Sequence, residues 1–262
     1  IRDNLETYSI TVTKAGYSAY ERTFTLQELK ALKAPLVIAL LAESLSDGLI
    51  AYYPFNGNAN DETANDLNGI VNGAELTTDK DGRAQAAYAF DGTDDNIRVP
   101  HNNLLNLSGD HTISLWANIS SGQDPHNGIN DILRKWNGDA QGYPFSISYL
   151  NPLADDAFED RILHSRYDGQ VCDNSVASHS PLITNDTFVH IVLVKADNKI
   201  RTYLNNVLTE EVEDPTTCST ANDADMTIGS RGNQVRFFKG RIDDIRIYDR
   251  ALTEEEIGNL NG

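Results

Sequence analysis

The stretch PFNGNANDETANDLNG, residues 54–69, is built mainly from Asn, Asp and Gly. Short oxygen-bearing side chains suit turns, because they bond their own backbone and tolerate left-handed dihedrals. They also suit hard cations, which take oxygen ligands. An EF-hand loop starting at Asn56 fails at two places: Asp61 stands where the sharp turn needs Gly, and Leu67 where a bidentate Glu is needed. A looser calcium site, completed by backbone carbonyls, leaves Asn58 and Asp61 as its side-chain donors. DGTDDN (91–96) reads as a hairpin turn and ADDAFED (154–160) as a solvated acidic loop.

For catalysis the sequence offers little. Glycosidic cleavage needs two carboxylates facing each other across a cleft, and no strand carries acids in the alternating form ExDxxE. Glu211-Val212-Glu213 comes nearest and reads as exposed acids at a strand end. Of the six histidines, none has a Ser or Cys partner in a nucleophile motif; His164, in RILHSRY, faces either a ligand or the solvent side of a strand. No glycine-rich phosphate loop is present. The chain therefore reads as a non-enzyme, with a polysaccharide-cleaving enzyme as an alternative.

For binding it offers more. Sugar rings lay their C–H faces on aromatic side chains, and their hydroxyls need polar partners. Arg134, Trp136, Tyr143, Tyr149, Arg166, Tyr167 and Asp168 supply both kinds within one span. Trp136 and Tyr149 serve equally well as core residues, and a flat peptide-binding rim would use the same side chains. Cys172 and Cys218 lie in polar, turn-rich segments, where they would pair in an oxidising compartment or remain free thiols in the cytosol.

These residues must be positioned by short strands. From Leu49 onward LIAYYPF, AAYAF, HTISLWANI, PFSISYL, RILHSRY, FVHIVLVKA, KIRTYLNNVL and GRIDDIRIYD are separated by turn signals, without long helical periods. Ile113, Leu115 and Ala117 alternate with Ser114, Trp116 and Asn118; HIVLVKA reads as a central strand, and Asn205-Asn206 as a tight hairpin turn. Thr253 and Glu256 form a capping box that starts a short closing helix. The pattern predicts an all-β sandwich or jelly roll. Residues 1–43 stand apart: TYSITVTKAGYSAYERTFTL alternates as two strands about a turn at Ala15-Gly16, PLVIAL reads as a third short strand, and LQELKAL between them as one or two helical turns; LAESLSDG reads as a linker. A net charge of −18 argues against nucleic acid as a partner. The longest apolar run, Pro35–Ala42, is too short to span a membrane. The opening Ile1-Arg2-Asp3 reads as the middle of a larger protein.

Two resemblances sharpen this reading. TVTKAGYSAYERTFTL, with its KxGY turn, resembles the PEGA or carboxypeptidase-regulatory type of small β-sandwich, of which residues 1–43 would be a part. GLIAYYPFNGNANDETANDLNGIVNG, AAYAFDGTDDNIRVP, HTISLWANI, VHIVLVKADNKIRTYLNNVL, MTIGSR and FFKGRIDDIRIYDRALTEEEI, in that order, resemble the LamG-like jelly-roll domain of the concanavalin A-like lectin/glucanase superfamily over residues 47–262. That resemblance implies a convex and a concave sheet, an extracellular or cell-surface setting, and sugar-binding or adhesive work. It places Asp243 on the core face with Ile245 and Ile247, where a structural calcium would join it to Asn58 and Asp61. Asp244 is the neighbouring alternative, and simple capping of the 56–62 amides is the metal-free one. It also implies a Cys172–Cys218 disulfide stapling two rim loops beside the aromatic span. The expected function is a calcium-stabilised, monomeric carbohydrate-binding module of a larger surface protein; the alternative is a spacer or protein-binding module without glycan affinity.

Overall fold

A computed structural model describes residues 7–12, 20–25, 45–123, 128–136, 141–151, 160–232 and 235–260. Its strands are β1 (Thr7–Val12), β2 (Tyr20–Thr25), β3 (Leu49–Tyr53), β4 (Ile70–Asn72), β5 (Glu75–Thr77), β6 (Ala87–Asp91), β7 (Asn96–Val99), β8 (His111–Ile119), β9 (Ile129–Arg134), β10 (Tyr143–Leu150), β11 (Arg161–Tyr167), β12 (Ser175–His179), β13 (Phe188–Ala196), β14 (Lys199–Leu204), β15 (Val207–Glu213), β16 (Met226–Ile228) and β17 (Lys239–Tyr248). Two short helices follow β11 and β17: α1 (Gly169–Cys172) and α2 (Glu254–Asn259). Strands β1 and β2 pair as an antiparallel hairpin, from Thr7↔Thr25 to Val12↔Tyr20. The strand expected at PLVIAL and the helical stretch before it lie outside the described residues.

The remaining strands form two antiparallel sheets. The front sheet runs β12-β11-β10-β9-β16-β7-β4, and the back sheet β15-β14-β13-β8-β17-β6-β5, with β3 also paired to β17. Between them lies the main core. Ile113, Leu115, Ala117 and Ile119 of β8 meet Val189, Ile191 and Leu193 of β13 there, together with Ile97, Leu133, Phe145, Ile147 and Ile228 of the front sheet. Alternation along each strand produces this sandwich, since successive side chains point to opposite faces. A second, smaller core forms on the other side of the back sheet, where Val192, Val194 and Tyr248 pack against Leu252, Ile257 and Leu260 of the closing segment. Helix α2 starts as expected: the Thr253 hydroxyl accepts the Glu256 amide, and the Glu256 carboxylate accepts the Thr253 amide. The hairpin at Asn205-Asn206 is also found, both residues being left-handed (φ 48° and 67°).

The oxygen-rich loop is held by hydrogen bonds to its own chain. Asp61 is buried, and its two oxygens accept hydrogen bonds from the amides of Tyr52, Thr63 and Leu67 and from the Thr63 hydroxyl. The Tyr52 carbonyl in turn accepts the Glu62 amide, at 2.9 Å. Tyr52 thus directs both backbone groups at the loop, which runs along the edge of β3 facing away from β17. Asn58 turns inward on its own chain, its side-chain oxygen accepting the Asn60 amide at 2.7 Å.

Asp243 corrects a second expectation. Strict alternation would align it with Ile245 and Ile247, but the β17–β8 ladder shifts between Asp243 and Arg246, and Asp244 is left-handed with φ 51°. This bulge resets the parity. Ile242, Ile245 and Ile247 all point into the core, and Asp243 stands across from Trp116 on the outer face of the back sheet. It is buried there beneath the Asp79–Arg83 turn; burial, together with the charges of Asp244 and Asp79, pushes its carboxyl up to about 7. Asp244 lies 3.1 Å from the Arg246 guanidinium. Asn58 and Asp61 therefore lie beyond one edge of β3 and Asp243 and Asp244 beyond the other. The four residues do not assemble into one donor set, and Asp61 has no unused lone pair to offer.

His164 faces neither ligand nor solvent. Its cross-strand neighbours are Ile147 and Ser178, in the row that feeds the core. Burial lowers its pKa to about 3, and His111 and His190 fall to about 3 and about 4 for the same first reason.

Two outcomes test these assignments. Asp61→Ala strands the amides of Tyr52, Thr63 and Leu67 and should lower stability by about 2–4 kcal/mol. Denaturant titration should give the same loss in calcium and in chelator; a loss confined to calcium-containing buffer would return a metal to this loop. For His164, the folded pKa lies below the unfolded value of 6.5, so stability is full above 6.5 and is lost as pH falls and the unfolded chain takes up the proton. The opposing group, Asp243, gains stability on protonation over the same range, so the test is comparative. His164→Leu should gain on the wild type by on the order of 2–3 kcal/mol between about pH 6.5 and about pH 4. Melting curves that run parallel across that range would show that the imidazole titrates alike in both states.

Candidate functional site

The register of the front sheet sorts its side chains into rows. Arg98 of β7, Thr227 of β16, Arg134 of β9, Ser146 of β10, Ser165 of β11 and Ala177 of β12 are successive cross-strand neighbours. The adjacent row is Ile97, Ile228, Leu133, Ile147 and His164, which faces inward. The first row therefore lies on the outer face, joined there by Asp131 and Ser148, which pair across β9 and β10. Thr227, Arg134, Asp131, Ser146 and Ser148 are themselves buried on that side, and Arg98, Ser165 and Ala177 reach solvent.

Aromatic rings gather on this face. Trp136 and Tyr143 have centroids 5.2 Å apart, and Tyr143 and Tyr167 6.0 Å apart. All three are half-buried. The Tyr143 hydroxyl donates to Ser165, and that of Tyr167 to Asp173 at 3.0 Å. Arg134 lies over both inner rings, 4.6 Å from the Trp136 centroid and 4.9 Å from that of Tyr143. Its guanidinium also bonds Asp131 at 3.1 Å, and Asp131 accepts the Ser148 hydroxyl. Four of the seven expected ligand residues (Arg134, Trp136, Tyr143 and Tyr167) thus form one cluster.

The other three do structural work. Tyr149 belongs to the core, with its hydroxyl donating to Asp160. Arg166 is buried on the inward side of β11, paired with Asp214 at 3.3 Å and donating to the carbonyls of Leu107 and Pro144. The inward parity of its strand decides this: Ile162, His164 and Arg166 are buried, and Leu163, Ser165 and Tyr167 are not fully so. Asp168 accepts the amides of Asn174, Thr217 and Cys218 and the Asn174 side chain. Burial alone would raise its carboxyl; these donors outweigh that and hold it at about 2. Asp168 thereby ties together the two loops that the Cys172–Cys218 disulfide joins covalently. The bridge closes beside Tyr167, as a staple of the rim.

Residues with no selecting signal in their local sequence complete the cluster. Gly229 opens a loop after β16 at φ +85°, where a Cβ would stand 2.4 Å from the Phe90 ring. The loop closes through Arg231 N–H to the Val235 carbonyl and Phe238 N–H to the Gly229 carbonyl. It brings Arg231 to 5.3 Å from the Trp136 centroid and Arg236 into the field of Asp131, Arg134 and Tyr143. The Asp131 amide donates to the Arg236 carbonyl at 2.9 Å, which fixes loop to sheet. SRGNQVRF carries no periodicity, and Asp131 is one acid on one strand, so only the register could reveal them.

Among the described residues, acidic groups elsewhere make no comparable site. Asp91, Asp94 and Asp95 bring their oxygens within 4.8 Å of one another at the β6–β7 turn. Asp95 accepts the Asp91 amide and Asp91 the Thr93 amide, the bonding of the hairpin turn the sequence predicts. Of the 154–160 acidic loop, only Asp160 lies within the described residues. Glu211 pairs with Lys199 and Arg201 on the surface, as an exposed strand acid should. No helix among the described residues is long and apolar enough to cross a membrane.

Comparison with known proteins places this geometry. The binding domain of Paraclostridial Mosquitocidal Protein 1 superposes with a TM-score of 0.63 at 17% identity, covering 81% of this chain and 51% of that one. The receptor binding domain of botulinum neurotoxin D gives 0.64 at 15%, covering 83% and 53%. The chain thus spans about half the length of these toxin domains. Domain 4 of AbnA, an extracellular arabinanase of Geobacillus stearothermophilus solved with arabinotriose, gives 0.58 at 20% and is covered over 98% of its length. At such identities the likeness is one of fold. No curated protein sequence matches the chain. The laminin G family model described as the concanavalin A-like lectin/glucanases superfamily matches residues 91–258, from the end of β6 into α2, and the chain belongs to that superfamily.

Proposed function

We propose that this domain is a non-catalytic carbohydrate-binding module that takes glycan on the outer face of its front sheet, as part of a larger secreted or cell-surface protein. The observation that carries the reading is the Trp136–Tyr143–Tyr167 series, with centroid steps of 5.2 and 6.0 Å, flanked by Arg134 and Asp131. Tilted to one another by 39° and 44°, the rings offer sugar C–H groups separate apolar contacts, and fixed donors and acceptors beside them set orientation. The strand framework and the Cys172–Cys218 staple hold the platform before ligand arrives, which lowers the ordering cost of binding. The arabinanase domain supports this reading, since it is matched almost end to end and was solved with a trisaccharide. The disulfide fits an oxidising, extracellular setting.

Calcium forms no part of this reading, because Asn58, Asp61, Asp243 and Asp244 lie on two edges of β3 and have protein partners of their own. Hydrolysis forms no part of it either. On the proposed face Asp131 is bound by Arg134 and Ser148, and no second carboxylate among the described residues stands across from it. The β1–β2 hairpin, read as part of a regulatory-type sandwich, would be an accompanying module.

A glycan array probed with the folded protein tests the function. Binding should fall roughly tenfold or more in Trp136→Ala and in Tyr167→Ala. Melting should change little for Tyr167→Ala, whose ring lies at the rim. Absence of any glycan signal from protein that melts cooperatively would favour the spacer or protein-binding alternative, and new reducing ends in a polysaccharide digest would favour the enzyme.

A further inference from the structure

We infer that the glycan held on this face is acidic: the Arg134–Arg231–Arg236 group beside Trp136 is a subsite for a sugar carboxylate or sulfate. The inference rests on the carbohydrate-binding reading above and narrows its substrate class. Three guanidiniums converge on one carboxylate. Arg134 pairs with Asp131 directly, at 3.1 Å, and Asp131 also acts on Arg231 and Arg236. Asp131 divides its oxygens between Arg134 and the Ser148 hydroxyl.

The arginines strain against one another. Arg231 is pushed down from the usual arginine range by burial and then by the charges of Arg236 and Arg134. Arg236 is pushed down by burial and by Arg134, against the opposing pull of Asp131. The Nε–H groups of Arg134 and Arg236 are both buried, and neither has a hydrogen-bond acceptor among the described residues. A buried donor left unmet is costly, and the loop that carries Arg236 is held with that residue at φ 60°, outside the conformations its side-chain type prefers. A fold held this way against repulsion, unmet donors and backbone strain is arranged for a further acceptor.

The chemistry of that acceptor follows from the donors. A guanidinium offers N–H groups in a planar fork that matches the paired oxygens of a carboxylate or sulfate. Trp136, with Arg134 at 4.6 Å and Arg231 at 5.3 Å from its centroid, fixes the two cations in place. A neutral sugar hydroxyl could accept from one Nε–H but would leave the mutual repulsion untouched. An anion relieves both. Solubility does not explain the cluster, since the chain as a whole carries −18 and these cations are half-buried or deeper.

The test uses sugar polymers that differ in charge alone. Polygalacturonate is compared with its fully methyl-esterified form, and dextran sulfate with dextran, by calorimetric titration of the whole chain. The acidic member of at least one pair should bind tenfold or more tightly than its neutral partner, and raising salt from about 0.05 to about 0.5 M should weaken it. Arg236→Gln should remove roughly tenfold to a hundredfold of that preference. Arg236→Lys, which keeps the charge and loses the fork, should restore only part of it, and melting curves confirm that both variants fold. The pair that discriminates identifies the acid as carboxylate or sulfate. Equal binding of acidic and neutral members, indifferent to salt and to Arg236, would overturn the acidic subsite and leave the carbohydrate-binding reading standing. Absence of binding to all four polymers, and to every glycan of the array, would overturn both.

Discussion

Cross-strand register in the front sheet is the constraint from which the rest follows. Leu133 and Ile147 must enter the core together with Ile97 and Ile228, since those contacts hold the two sheets face to face. Once they do, the two-residue period of a strand sends Arg134, Ser146 and Ser165 to the other side. A slip of one residue in β9 would exchange Leu133 for Arg134, driving a charge into the sandwich and a leucine out of it. The polar face is therefore specified as strictly as the core, and by the same side chains. Apolar residues fix the register, and the register places the candidate ligand groups.

Bulges are where this rule bends, and they account for what was legible in the sequence. Ile113, Leu115 and Ala117 could be assigned inward from alternation alone because β8 runs without interruption. The β14–β15 turn was legible because Asn205-Asn206 is a pair that accepts positive φ. Asp243 was misplaced because the bulge at Asp244 has no glycine to announce it; an aspartate takes the left-handed conformation there instead. Tyr143 and Arg134 reach the outer face past further irregularities, where β10 shifts register against β11 between Tyr143 and Ser146, and against β9 between Ile147 and Ser148. Sequence reasoning found the aromatic span by composition but could not separate Tyr149 from Tyr143, or Arg166 from Arg134. Those distinctions depend on parity after a shift. Arg231 and Arg236 were out of reach for a different reason, since they are brought to Asp131 by a loop that lies far away in the chain.

The opening loop shows how much of a loop one carboxylate can organise. A calcium ion organises a loop by collecting oxygens around a positive charge. Asp61 does the converse, collecting N–H and O–H groups of Tyr52, Thr63 and Leu67 around a negative one. The residue types that favour the two solutions overlap, because Asn, Asp and Gly serve both. Only the donors decide between them. The loop is still tied to the closing strand, but through β3: Asp61 braces Tyr52, and Tyr52 and Ala51 stand opposite Arg246 and Ile247 in the ladder.

The two faces of the sandwich handle buried charge in opposite ways. Behind the back sheet, Asp243 stands near Asp79 and Asp244, and its carboxyl rises to about 7, so at neutral pH protonation takes up much of the repulsion. Carboxylates have that recourse because their pKa lies within reach of the solvent's proton activity. Guanidiniums do not: an arginine stays charged at any pH the protein meets. The repulsion among Arg134, Arg231 and Arg236 cannot be titrated away and has to be met by an opposing charge. Asp131 supplies part of it. The field of the remaining acidic chain supplies little more at physiological salt, because charges beyond about 8 Å are largely screened. An acidic surface and a basic recess can thus coexist on one domain, the first governing how it behaves in solution and the second what it holds at contact range.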